Sequence, residues 1–228
     1  MSTSGEEFPS VPHDRLLEDG WELRSKSEET LFRLASAAVV GYTLVYNDAR
    51  LREAIEAADA ADLLGGPAAD RLVDAGEASG DGGPWRFFFA TRLSFRPPLA
   101  PGIGPASIRP TVVSQAKRSF AEDLEARGFE NVDSGRGQRI RTDSGDRARL
   151  RKFSGSLPVS GAGRAPDRID IEGWLAVWVT DGAFRIAGGA YPVRGVEEFL
   201  ESLPAPERPP TDPEAFRDEL LDAIRAVR

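Results

Sequence analysis

Arg168-Ile-Asp-Ile-Glu-Gly-Trp-Leu-Ala-Val-Trp-Val-Thr180 decides the fold class. Ile169, Ile171, Leu175, Val177 and Val179 point one way at the two-residue period of a strand. Trp174 and Trp178 point the other way, beside Asp170 and Glu172. A long strand apolar on both faces is normally covered on both. Asp181-Gly182 then makes a tight turn, and Phe184–Tyr191 returns alongside. The segment therefore opens a hairpin, and the sheet it belongs to is antiparallel.

Reading outward extends the pattern. Upstream, Gln138–Thr142 and Arg147–Phe153 flank the turn Asp143-Ser-Gly-Asp146, a second hairpin, with a short strand Phe129–Asp133 before it. Residues 154–167 form a Gly/Ser/Pro loop by composition. Thr111 is expected to cap a helix with the stripe Val113, Ala116, Phe120 and Leu124, closed by Gly128. Residues 96–110 hold five prolines and are expected to lack regular structure. Trp85–Phe95 is a strand, with Trp85, Phe87, Phe89, Leu93 and Phe95 on one face. Residues 65–84 begin weakly helical and end in a glycine-rich loop. Val39–Tyr46 reads as a central strand, and Asn47 or Asp48 caps a helix buried through Leu51, Ile55 and Ala58. Trp21–Ser25 and Glu29–Ala35 alternate as two more strands. Downstream, Val196, Phe199, Leu200 and Leu203 mark a short helix. Thr211-Asp-Pro-Glu214 has capping-box spacing ahead of a helix with the face Phe216, Leu220, Ile224 and Val227. The expected class is α+β, a mostly antiparallel sheet of about eight strands with helices packed on it. The expected organisation is a flexible tail (1–13), one domain (14–203), a Pro-rich linker (204–213) and a C-terminal helix (214–228).

Composition limits the chemistry. The 228 residues include no cysteine and one histidine, His13, read as solvated in the tail. That removes thiolate nucleophiles and cysteine-ligated metals, so no cofactor, metal site or catalytic residue is assigned. The formal charge is −8, yet only Lys26, Lys117 and Lys152 are lysine among 29 bases. Acidic excess with almost no lysine fits concentrated salt, and a GC-rich genome gives the same bias. Residues 85–165 carry a net +8 between flanks of −10 and −6, so any basic surface lies in the centre of the chain. No stretch is long enough to span a membrane, and the start lacks the basic residues and apolar run of a signal peptide. The expected location is cytoplasmic. The glycine pairs match no phosphate-loop pattern; Gly188-Gly189 reads as a bulge or a close helix approach.

Two clusters are candidate sites. Arg139 and Arg141 share one face of the first strand of the 138–153 hairpin, and Arg147, Arg149 and Arg151 share one face of the second. Five guanidiniums on a ribbon suit an anion or nucleic-acid backbone. The competing expectation is internal pairing with Asp170 and Glu172 from the neighbouring strand. The second cluster is Trp174 and Trp178 beside Asp170 and Glu172. It suits a sugar or cation pocket, or else a second hydrophobic layer. The same two acids offer a weak case for a carboxylate hydrolase.

Trp85-Arg-Phe-Phe-Phe-Ala-Thr-Arg-Leu93, Ala126-Arg-Gly-Phe129, Glu172-Gly-Trp-Leu-Ala-Val-Trp178 and Ala187-Gly-Gly-Ala-Tyr-Pro192 resemble an uncharacterised haloarchaeal protein family over about residues 20–203. The order of elements is similar to that of PsbP and Mog1 proteins. That similarity implies a binding or assembly module without catalysis, and it transfers no site residue. The expected function is a non-catalytic module of a salt-adapted cytoplasm that binds a protein partner or small ligand. Anion or nucleic-acid binding by the arginine hairpin is the first alternative, and a hydrolase the second.

Overall fold

The computed structural model describes residues 7–34, 37–62, 85–99, 104–158 and 168–228. Its strands are β1 (Trp21–Leu34), β2 (Ala37–Asp48), β3 (Phe87–Arg96), β4 (Glu130–Arg141), β5 (Arg147–Pro158), β6 (Arg168–Thr180) and β7 (Ala183–Arg194). Its helices are α1 (His13–Glu18), α2 (Ala49–Asp62), α3 (Pro105–Ala126), α4 (Val196–Phe199) and α5 (Pro213–Ala226). The seven strands form one sheet in the order β1-β2-β3-β7-β6-β5-β4, antiparallel at every junction. The chain is therefore α+β, with helices packed on both faces of the sheet. Residues 1–6, 63–84 and 159–167 lie outside the described residues, and with them the start of the tail, the 65–84 reading and most of the 154–167 loop. Residues 154–158 continue β5 instead of opening that loop, and Phe8 and Val11 of the tail pack against core residues of the sheet.

The nine segments that alternate in the sequence form seven strands, because bulges imitate strand ends. Trp21–Ser25 and the described part of Glu29–Ala35 belong to the one strand β1, whose register shifts at Leu23/Ser25 and Thr30/Phe32. Phe129–Asp133 and Gln138–Thr142 likewise merge into β4 across Gly135 and Gly137. A bulge adds an unpaired residue and flips the alternation without ending the strand. Val39–Tyr46 is buried as expected, but β2 lies second from the edge rather than at the centre.

Helix α3 starts earlier than its sequence suggests. Gly104, in extended conformation, is the N-cap and Pro105 takes the first helical position, where a missing N–H is harmless. Pro110 lies inside the helix, and its missing donor frees a carbonyl near the exposed N-terminal end. The start at Thr111 and the stripe through Val113 are therefore corrected: Val112, Ala116, Phe120 and Leu124 are buried, and Val113 is half-buried. The end is as expected. Gly128 adopts φ +89, the Gly128 amide donates to the Glu125 carbonyl at 2.9 Å, and the Phe129 amide donates to the Leu124 carbonyl at 3.1 Å. This is the Schellman pattern, with Phe129 and Leu124 both in the core. Gly128→Ala is expected to lower stability by about 1–2 kcal/mol, because an L-residue resists the left-handed region. Urea denaturation checks this, and an unchanged midpoint would contradict the cap.

The two sheet faces are two cores. On the first, α2, α3 and the 196–203 segment cover Phe87, Phe153, Ile169, Ile171, Leu175, Val177 and Phe184. On the second, α1 and α5 cover Tyr46, Phe88, Leu150, Trp174, Trp178 and Tyr191. Asp212, not Thr211, caps α5, accepting from the Glu214 amide at 3.0 Å. Phe216, Leu220, Ile224 and Val227 are all buried against the sheet of the same chain. Ser10 and Arg228 exchange two backbone hydrogen bonds of 2.9 Å. His13 is not left to solvent alone: its Nδ1 lies 2.9 Å from the Tyr46 hydroxyl.

A charged clamp ties α5 down. The Arg86 guanidinium lies 4.6 Å from the Trp21 ring centre and 4.1 Å from that of Phe216. It donates to Asp48 Oδ2 at 2.5 Å and to Glu219 Oε2 at 2.7 Å, while Trp21 Nε1 donates to Glu219 Oε1. Asp48 Oδ1 accepts from the Leu51 amide at 3.0 Å and so caps α2. Gly189, in β7, lies directly under Leu220 of α5. Gly189 thus marks a close helix approach, while Gly188 faces the Phe89 ring and the Trp174 carbonyl.

Candidate functional site

The arginine hairpin is built from β4 and β5. Its turn is fixed locally, with Thr142 Oγ1 accepting from the Asp146 amide at 3.0 Å and Arg141 Nη1 donating to the Gly145 carbonyl at 3.1 Å. The Asp143 amide donates to the Arg225 carbonyl at 2.9 Å, which anchors the turn to α5. Alternation in β5 sends Ala148 and Leu150 into the core beneath α5 and turns Arg147, Arg149 and Arg151 toward the α3 side. In β4, Arg139 stands opposite Arg149 and Arg141 opposite Arg147. Directly opposed residues share a face, so all five arginines project on one side.

The expected pairing with Asp170 and Glu172 does not form. β6 is indeed the neighbour of β5, but the register sets Arg149 against Val177 and Arg151 against Leu175. Those partners belong to the α3 face; Trp174, Trp178 and Glu172 belong to the α5 face. Asp170 lies 3.3 Å from Arg168 and 3.5 Å from Arg194. Glu172 is held by Lys152 and accepts from the Tyr191 hydroxyl at 3.0 Å. That hydroxyl accepts from Trp174 Nε1 at 3.2 Å, and burial pushes its pKa far up, so it stays a neutral donor. Trp174 and Trp178 are 8% and 0% exposed. The tryptophan and carboxylate cluster is therefore a second hydrophobic layer, bonded at its edge through Trp174, Tyr191 and Glu172 while the buried Trp178 Nε1 has no hydrogen-bond partner, and it is not an open pocket. Each acid has its own cation: Arg168 and Arg194 for Asp170, and Lys152 for Glu172.

Among the described residues, none of Arg139, Arg141, Arg147, Arg149 and Arg151 has a carboxylate within 4.0 Å. Their polar contacts are to backbone: Arg151 Nη1 donates to the Gly135 carbonyl at 2.7 Å. Helix α3 adds two cations that the sequence reading left out. Arg109, Val113 and Lys117 recur every four residues and face the hairpin. Arg109 Nη2 donates to the Arg147 carbonyl at 3.3 Å. Between α3 and the hairpin is a cleft of about 270 Å³, walled by Lys117, Arg139, Arg149 and Arg151 over Val113 and Leu175. The spacing of Arg109 and Lys117 was visible in the sequence. Reading residues 96–110 as irregular hid it.

The family model described as a domain of unknown function, DUF6517, matches residues 8–228. The chain belongs to this family. No curated protein and no solved structure matches it. Among the described residues of this DUF6517 chain, no group of three or more acidic, histidine or cysteine side chains is placed to hold a metal ion. Among the described residues no helix is long and apolar enough to cross a membrane.

Proposed function

We propose that this DUF6517 chain is a non-catalytic binding module of a salt-adapted cytoplasm, and that its ligand is a compact polyanion carrying adjacent phosphate groups. One observation carries the reading. A chain of net charge −8 gathers Arg109, Lys117 and five hairpin arginines on one side of its sheet, and no described carboxylate neutralises the five. Like charges directly opposite each other destabilise a hairpin. An anion bound between Arg139 and Arg149 would remove that repulsion.

Size and surroundings favour a compact ligand over a duplex. A ribbon that reads DNA enters a major groove about 12 Å wide. Here α3 stands beside the ribbon and touches it through Arg109, and its other face is buried under α5. Salt points the same way. At ~1 M the Debye length is about 3 Å, so long-range steering is lost and short forked contacts of arginine to phosphate remain.

The test is calorimetry with inorganic triphosphate, beside anisotropy of labelled single- and double-stranded oligonucleotides, each titrated with salt. Triphosphate is expected to bind saturably and to compete with any oligonucleotide. The double charge reversal Arg149→Glu, Arg151→Glu is expected to weaken it at least ~10-fold, equivalent to about 1.4 kcal/mol. Oligonucleotide binding that triphosphate cannot displace would replace this ligand with a nucleic acid. No binding of either, at the lowest salt that keeps the protein folded, would end the anion reading.

A further inference from the structure

On the opposite side of α3 from the basic cleft, a groove of about 640 Å³ opens between that helix and the β1–β3 part of the sheet. We infer that this groove is a second binding site, for an uncharged ring-bearing molecule with hydroxyl or carbonyl groups at its edge. Its floor is aromatic. Phe87, Phe89 and Phe120 meet there, with ring centres 6.4 Å (Phe87–Phe120) and 5.8 Å (Phe89–Phe120) apart. Its walls are hydroxylic: Ser25 and Ser27 on β1, and Ser119 beside Gln115 on α3.

The residues on β1 and β2 are what single out the groove. Ser25 stands opposite Val45, and Ser27 opposite Thr43. They occupy the face that forms the first core everywhere β3, β7 and β6 contribute to it. Apolar residues there would extend that core. Half-buried hydroxyls instead leave an amphipathic hollow of the size that small molecules fill. Thr43 and Thr91 bond to each other across the floor at 2.9 Å, so those hydroxyls need no water. Leu31, on the bulged stretch of β1, lines the groove while 40% exposed. Gly41 leaves it room, since a Cβ at 41 would lie 2.6 Å from Leu31 Cδ1.

Charge selects for neutrality. Glu29 and Asp123 line opposite walls and repel an anion. The Arg127 guanidinium, 4.3 Å from the Phe87 ring centre, already occupies one aromatic face and repels a cation. A flat neutral ring can lie on the half-buried Phe89, backed by Phe120, with its polar edge toward the serines.

Nile red, an uncharged dye, is the probe. Saturable binding with a blue-shifted, enhanced emission is expected. 2-Naphthol should displace the dye, and 2-naphthalenesulfonate and 1-naphthylmethylamine should not. Ser27→Trp and Gln115→Trp each fill the groove from one wall and are expected to weaken binding at least ~10-fold, with circular dichroism unchanged. Arg149→Glu, across α3, is expected to leave it unaltered. Two walls are probed so that one misfolded variant leaves the other to decide. Absence of saturable binding, full binding by a folded tryptophan variant, or displacement by the sulfonate as strong as by the naphthol would each overturn the site.

Discussion

Replacing Arg86 with methionine is expected to lower folding stability by about 3–5 kcal/mol, the usual consequence of removing one partner from a buried ion pair. Arg86 and Asp48 side chains are only 5% and 10% exposed. Methionine fills much of the space between Trp21 and Phe216 but leaves the Asp48 carboxylate facing an apolar wall. Asp48 also caps α2, and Glu219 belongs to α5, so the loss spreads to two helices on opposite faces of the sheet. The double variant Arg86→Met, Asp48→Asn removes the stranded charge, keeps a capping oxygen, and should recover part of the loss. Urea unfolding of both variants beside the parent checks this. A single-variant loss under about 1 kcal/mol would mean that the clamp is not what seats α5.

Gly189→Ala should be at least as disruptive. A Cβ there would lie 2.0 Å from the Phe87 carbonyl oxygen and 2.9 Å from Leu220 Cδ1. The first neighbour is backbone of the adjoining strand and cannot rotate away. Overpacking commonly costs ~1–3 kcal/mol, and a backbone collision belongs at or above the top of that range. The smaller unfolded-state entropy of alanine offsets no more than about 1 kcal/mol. Gly135→Ala is the control, because its Cβ would have nothing nearer than 3.8 Å. Soluble yield and the urea midpoint should fall sharply for Gly189→Ala and barely move for Gly135→Ala. Equal behaviour of the two would show that β3 and α5 can both retreat from β7.

The β6–β7 hairpin was legible because its alternation, Gly182 turn and apolar content all agree, and Arg168–Thr180 is the strand observed. The face of α5 and the Gly128 cap were legible for the same reason: each rests on residues a few positions apart. Three features depended on information that local pattern does not hold. Bulges in β1 and β4 imitate strand ends. Pro110 imitates a helix boundary while Pro105 supplies the real one. The fate of the arginines turned on parity between strands. A one-residue slip of β5 against β6 would have set the guanidiniums on the side of Asp170 and Glu172. The observed register sets odd positions against odd ones and leaves the cations facing α3. The basic cleft was therefore half legible, as five arginines without the two cations of α3. The groove was not legible at all, since Ser25, Ser27, Ser119 and Phe89 come together only through the fold.

The strand order also has a kinetic consequence. β1-β2-β3 and β4-β5-β6-β7 are each runs of sequential neighbours, and their ladders close over shorter separations than the junction between the two runs. A single seam, Phe87–Arg92 of β3 against Arg185–Ala190 of β7, joins them. That seam brings together chain positions far apart in sequence, and such contacts carry the largest loop-closure penalty. Each run would start forming alone, and their union would set the overall rate. Until it happens, the edges of β3 and β7 are open to the wrong partner, including the same edges of another nascent copy.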